Sequence, residues 1–143
     1  MDSNVLGIVT NPRATAENEE CRAWVRRMGA LGNRVAVPEI ADYEIRRELV
    51  RAAKTVGIQE LDQLATRVSY LPITTAAMRQ AAEFWAQLRG KGVATASDKA
   101  LDIDMVIAGQ AVVAVRAWET LVIATTNTRH LSLVAPARHW RDI

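Results

Sequence analysis

Near its carboxyl end the chain reads TLVIATT, from Thr120 to Thr126, a β-rich run whose middle offers no polar residue to solvent. A strand of this kind belongs inside a parallel sheet, because there both of its faces are covered. Parallel neighbours need crossover connections of about a dozen residues or more, usually helices, so the run commits the chain to an α/β arrangement. RVAV at 34–37 reads as a short buried strand, and VSYLPIT at 68–74 is β-rich as well.

Helical periodicity fills the intervals. Ala16 to Met28 carries Glu17, Glu19 and Glu20 in its first turn and Arg26 and Arg27 in its last, the polarity a helix macrodipole favours. Pro38 stands at the start of a second helix with Ile40, Tyr43, Ile45, Leu49 and Val50 on its apolar face, and Leu61 to Arg67 continues helical. Thr74 or Thr75 can cap a helix that ends at Gly90. Its Met78, Ala82, Phe84, Trp85 and Leu88 form a broad stripe expected in the core. ALDIDMVIAGQAVVAV, from Ala100 to Val115, is almost wholly apolar and so reads as the central helix. Breaks fall at NPRAT, GALGN and RGKG, with no linker, repeat or low-complexity tract. The expected fold is one domain over residues 1–143, an α/β/α sandwich in three layers around a short, mostly parallel sheet.

Composition narrows the function classes. With 50% apolar and 24% charged residues, the chain lies far from the signature of disorder. Cys21 is the single cysteine, which excludes an internal disulfide and a cysteine-built metal cluster and fits a reducing compartment. No apolar stretch nears the roughly 20 residues of a membrane span, and no secretory leader pattern opens the chain, so a cytoplasmic location without membrane contact is expected. The formal charge of +2 is too small to mark a nucleic-acid protein, yet arginine greatly outnumbers lysine. Arg13 and Arg129 are candidates for bidentate phosphate contacts. For any single arginine the plainer reading is a solvated helix face.

The acids carry the sharper signal. In an open parallel sheet, functional residues gather beyond the carboxyl ends of the strands. Asp2 precedes the apolar run Val5 to Val9, Asp102 and Asp104 stand near the start of the most buried helix, Asn127 follows TLVIATT, and Glu44 lies on the helix after RVAV. Glu39 and Glu44 are five residues apart and so point about 140° away from each other. Glu39 in the first turn is explained by the helix dipole, whereas Glu44 sits near the apolar face. Carboxylates converging on a buried pocket must protonate or bind a cation. An all-oxygen donor set favours Mg²⁺ or Mn²⁺. Such a site supports attack of metal-activated water on a phosphodiester. His130 lies close to the expected site and could touch a substrate phosphate, while His139, beside Trp140, reads as part of a packed or solvated tail.

The fragments DSNVL, YEIRREL, DMVIAGQA and TTNTRHL, in that order and spread over nearly the whole chain, resemble the PIN-domain nucleases, most closely the VapC-type toxins of bacterial toxin–antitoxin pairs. The resemblance implies Asp2, Glu44 and Asp104 as metal-binding and catalytic acids. Ser3 and Asn4 would support the first acid, and Thr125 and Asn127 would complete the site. It also implies Mg²⁺- or Mn²⁺-dependent endoribonuclease cleavage, an RNA substrate, a cognate antitoxin and a homodimer. Two features depart from the family pattern. Only Met1 precedes Asp2, so the first strand is expected to be truncated, with Asp2 the least firmly placed ligand and the Met1 amine a competitor of the cation. Asn127 is neutral where some relatives have aspartate, and His130 stands where a further acid is often found. The alternative is a PIN-like module of weak or no activity that binds RNA or a partner protein. A DNA-directed nuclease of the same fold is a third reading, disfavoured because such relatives carry large insertions.

Overall fold

The computed structural model describes residues 1–90 and 98–143, with side chains from residue 101 onward in the second stretch; most of the break read at RGKG lies outside them. Helix α1 spans Ser3–Val9, α2 Ala16–Ala30, α3 Glu39–Arg51, α4 Thr55–Ala65, α5 Thr75–Gly90 and α6 Asp98–Ala114. The strands are β1 Ala36–Pro38, β2 Ser69–Leu71, β3 Ile123–Thr125 and β4 Ala137–His139. The alternation of helix and short strand is therefore the one expected, with β4 in addition.

Each pairing is parallel. β1 runs beside β2 with Val37 opposite Tyr70, and β3 beside β4 with Ala124 opposite Arg138. The two pairs form separate half-sheets, and the first two residues lie between them. The Met1 amine donates to the Ala36 carbonyl at 2.8 Å, and the Asp2 N–H donates to the Ala124 carbonyl at 2.9 Å. Met1 and Asp2 thus form a bridge of two residues, bonded once to each side and part of neither strand pair. Beneath it lies a slot of about 580 Å³, flanked by Val35 and Ala36 on one side and Val122 and Ile123 on the other. Beyond the amino ends of β1 and β3, the Arg34 guanidinium reaches the Glu119 carboxylate at 2.6 Å and 2.8 Å and the Ala114 carbonyl at 3.0 Å. TLVIATT pairs only over its last residues because its first ones line this slot.

The apolar run after Asp2 is a helix. Asp2 is its N-cap, accepting from the Val5 N–H at 2.9 Å, and Val5, Leu6 and Val9 enter the core with Trp24, Ile107, Ala108 and Trp140. Complete burial of side chains such as Val5 and Leu6 contributes about 1.5–3 kcal/mol each, so the core begins directly behind the polar triplet.

The stripe expected on α5 needs correcting. Ala77, Ala81 and Leu88 are buried, whereas Met78 is 45% and Trp85 39% exposed and Ala82 is exposed. The cause lies on α6: a Cβ at Gly109 would stand 2.4 Å from the Ala77 carbonyl oxygen and 3.0 Å from the Ala81 nitrogen. Helix backbones this close admit only small side chains between them, so the alanines take the contact and the bulky residues move to its rim. The cap is as read, with Thr74 Oγ1 accepting from the Ala77 N–H at 3.1 Å.

Candidate functional site

Asp2, at the bridge between the half-sheets, is 4% exposed. Its Oδ1 takes the Val5 N–H, its Oδ2 takes the Thr125 hydroxyl at 2.5 Å, and the Asn4 N–H adds a further bond. Burial pushes its pKa up, and these bonds pull against that rise. The expectation that Asp2 would be the least firmly placed acid is therefore overturned. Its anchors come from across the fold, so it does not depend on chain ahead of it. The Met1 amine is turned to Ala36, and burial lowers its pKa from 8.0 to about 6 against the opposing pull of Asp2. The amine is thus a weaker competitor for a cation than an ordinary ammonium.

Asp104 lies in the second turn of α6, not at its cap. Its Oδ2 stands 3.1 Å from His130 Nδ1. Burial raises its pKa, the His130 contact opposes the rise, and the charges of Asp2 and Glu44 add to it. These acids, 2, 44 and 104 along the chain, therefore share one electrostatic neighbourhood. Glu44 is the most exposed of them; its carboxylate has the Arg47 guanidinium at 3.9 Å, and both side chains are partly open to solvent.

The segment after β3 reaches both aspartates. Thr125 holds Asp2, the Asn127 N–H donates to Thr125 Oγ1 at 2.9 Å, and Asn127 Oδ1 accepts from the Arg129 N–H at 3.1 Å. The turn that results presents His130 to Asp104. Asn127 thus shapes the loop, and the residue is exposed. Ser3 Oγ and His130 Nε2 are buried without a hydrogen-bond partner. Asp102, Arg13, Arg129 and the Asn4 side chain are exposed. The His130–Asp104 contact joins residues 26 positions apart, and no local pattern in the sequence announces it.

The donor chemistry suits a hard divalent cation, with two carboxylates, Asp2 and Asp104, whose charges burial disfavours, Glu44 near them, and two orphaned polar atoms, Ser3 Oγ and His130 Nε2. The spacing is looser. Among the described residues, no three Asp, Glu, His or Cys side chains stand close enough together to share one ion. Mg²⁺ is commonly held by one or two carboxylates and keeps several waters, so the residues fit an ion bound partly through water.

The architecture is a helix-rich α/β sandwich with short parallel strands, a PIN-like fold. No family model and no curated protein matches the chain. Among solved structures, it superposes on a chain of the crystal structure of VapBC2 from Rickettsia felis bound to a DNA fragment from their promoter. The TM-score is 0.72 at 16% identity, over 97% of this chain and 96% of the other. At that identity it is the fold that is shared.

Proposed function

We propose that the chain is a divalent-cation-dependent endoribonuclease, the toxin of a toxin–antitoxin pair, which hydrolyses RNA phosphodiester bonds. What supports this reading is that Asp104 is pushed toward its neutral form by burial, with the charges of Asp2 and Glu44 near enough to add to the rise. A bound Mg²⁺ or Mn²⁺ would screen those charges and supply Lewis acidity and an activated water nucleophile. Asp2 and Asp104 would hold the ion, Asp104 with one oxygen tied to His130, and Asp2 with both oxygens bonded to the protein but each still offering a lone pair. Glu44 would add the third negative charge at the more open side. Arg13 and Arg129, both exposed, would take backbone phosphates of the RNA.

The shared fold with a VapBC2 complex supports an antitoxin partner, and a homodimer belongs to the same reading. No helix among the described residues is long and apolar enough to cross a membrane, which is compatible with a cytoplasmic site of action. The test is Asp104→Asn. Cleavage of a mixed RNA pool with Mn²⁺ should vanish while circular dichroism stays that of the parent, and retained cleavage would overturn the reading.

A second reading, a PIN-like module without turnover, draws on the loose spacing of the acids. Calorimetry showing no heat of Mg²⁺ or Mn²⁺ binding, with RNA or a partner protein still retained, would favour it.

A further inference from the structure

We propose that His130 is a positioning residue for the cation: it ties down one oxygen of Asp104 so that the other faces the ion, and the loop from Thr125 to His130 acts as a bracket that also holds Asp2, whose second oxygen is held by the Val5 N–H. The proposal rests on the reading that these acids hold a divalent cation.

An ionised carboxylate only accepts hydrogen bonds, so the proton of the contact belongs to His130 Nδ1, 3.1 Å from Asp104 Oδ2. The other ring nitrogen is buried without a partner, and the residue is 8% exposed. A ring present only for packing would be better apolar, because a buried unsatisfied nitrogen costs free energy. Among the described residues the imidazole has no further hydrogen bond, and the one polar contact it makes there is with Asp104. Fixing a ligating carboxylate through a neighbouring hydrogen bond is how outer groups set metal affinity.

The bracket follows from the loop. Thr125 ties Asp2 Oδ2 at one end and His130 ties Asp104 Oδ2 at the other, while Asn127 bonds back to Thr125 and forward to Arg129 between them. One stretch of six residues therefore fixes an oxygen on each acid, and the Val5 N–H fixes the second oxygen of Asp2. Asn127 is neutral because its work is to shape the turn, and His130 stands at its position as a hydrogen-bond donor to an acid.

The experiment is Mn²⁺ binding to the full chain, read by calorimetry and by the electron paramagnetic resonance signal of free Mn²⁺. The parent is compared with His130→Asn, His130→Gln and His130→Leu. An asparagine amide can reproduce a donor near the Nδ1 position, whereas a glutamine amide falls nearer Nε2. His130→Asn should bind within about threefold of the parent, and His130→Gln and His130→Leu should bind about 10- to 100-fold more weakly. If His130→Leu does not fold, the Asn and Gln pair carries the comparison. Equal affinity in all folded variants overturns the role of His130 while leaving the metal site standing, and absence of Mn²⁺ binding to the parent overturns both.

Discussion

Acetylating the Met1 amine should remove a stability loss that the free-amine chain suffers between pH 8 and pH 6. The amine is buried, bonded to the Ala36 carbonyl at 2.8 Å, and has its pKa lowered from 8.0 to about 6 by burial. The folded protein therefore holds this proton less tightly than the unfolded chain does. Above pH 8 the amine is neutral in both states and contributes nothing. As the pH falls through the window, the unfolded state takes up the proton first, so stability drops, and below pH 6 the whole penalty is present. Two pKa units correspond to roughly 3 kcal/mol, most of it already lost at pH 6. An acetyl group deletes the charge but keeps an N–H for Ala36, and its methyl enters the slot of about 580 Å³. The assay is urea unfolding of both forms at pH 8, 7 and 6, at matched m-values. His130 and His139 are common to the two proteins, so the difference between the curves isolates Met1. Curves that stay parallel from pH 8 to pH 6 would refute the claim that this amine is buried in the fold.

A few apolar residues added ahead of Met1 should likewise abolish that pH dependence and raise the unfolding midpoint beyond the acetylated form, because they would line the slot between β1 and β3; a Gly-Ser extension should not raise it. Gly109→Ala should cost about 1–3 kcal/mol in denaturant melts despite the better helix propensity of alanine, since the new Cβ meets the Ala77 carbonyl at 2.4 Å and backbone cannot yield cheaply. Thr125→Val should destabilise by about 1.5–3 kcal/mol by stripping a hydrogen bond from a buried carboxylate, and Thr125→Ser should restore most of it. Asp104→Asn should raise the unfolding midpoint at neutral pH in metal-free buffer while abolishing Mn²⁺ binding. Burial holds the Asp104 pKa above its unfolded value, so its ionised form opposes folding there. Parent and variant should converge as the pH falls and the parent carboxyl protonates.

What could be read from the sequence was whatever is local. RVAV, VSYLPIT and TLVIATT announce strands because a β run without polar relief has one environment open to it; β2 and β3 lie within their runs, and β1 overlaps RVAV at Ala36 and Val37 and adds Pro38. Asp2, Glu44 and Asp104 stand out because each is an acid beside residues that must be buried, and the fold brings their charges together. The face of α5 could not be read that way. Met78, Trp85 and Leu88 fit a helical stripe, but the contact face is chosen by Gly109 on another helix, which draws in Ala77 and Ala81 instead. β4 escaped for a related reason: Ala137–His139 carries no apolar pattern and becomes a strand by pairing with the edge of β3.

Asp2 shows where local reading fails in the opposite direction. A single residue ahead of it argued for a loose acid, on the premise that a strand holds its side chains by its own length. A bridge two residues long is held from its sides. The Met1 amine reaches Ala36, the Asp2 N–H reaches Ala124, and the carboxylate takes the hydroxyl of Thr125, 123 positions away. These three anchors come from β1 and β3, whose carboxyl ends fix where the site lies. An acid bonded to β3, with its neighbour Met1 bonded to β1, is placed by the sheet, and its rigidity then depends on Thr125 and Ala124 more than on chain ahead of it. Loosening the β3 loop should therefore disturb Asp2 more than altering Met1 does, although Met1 is its neighbour in sequence.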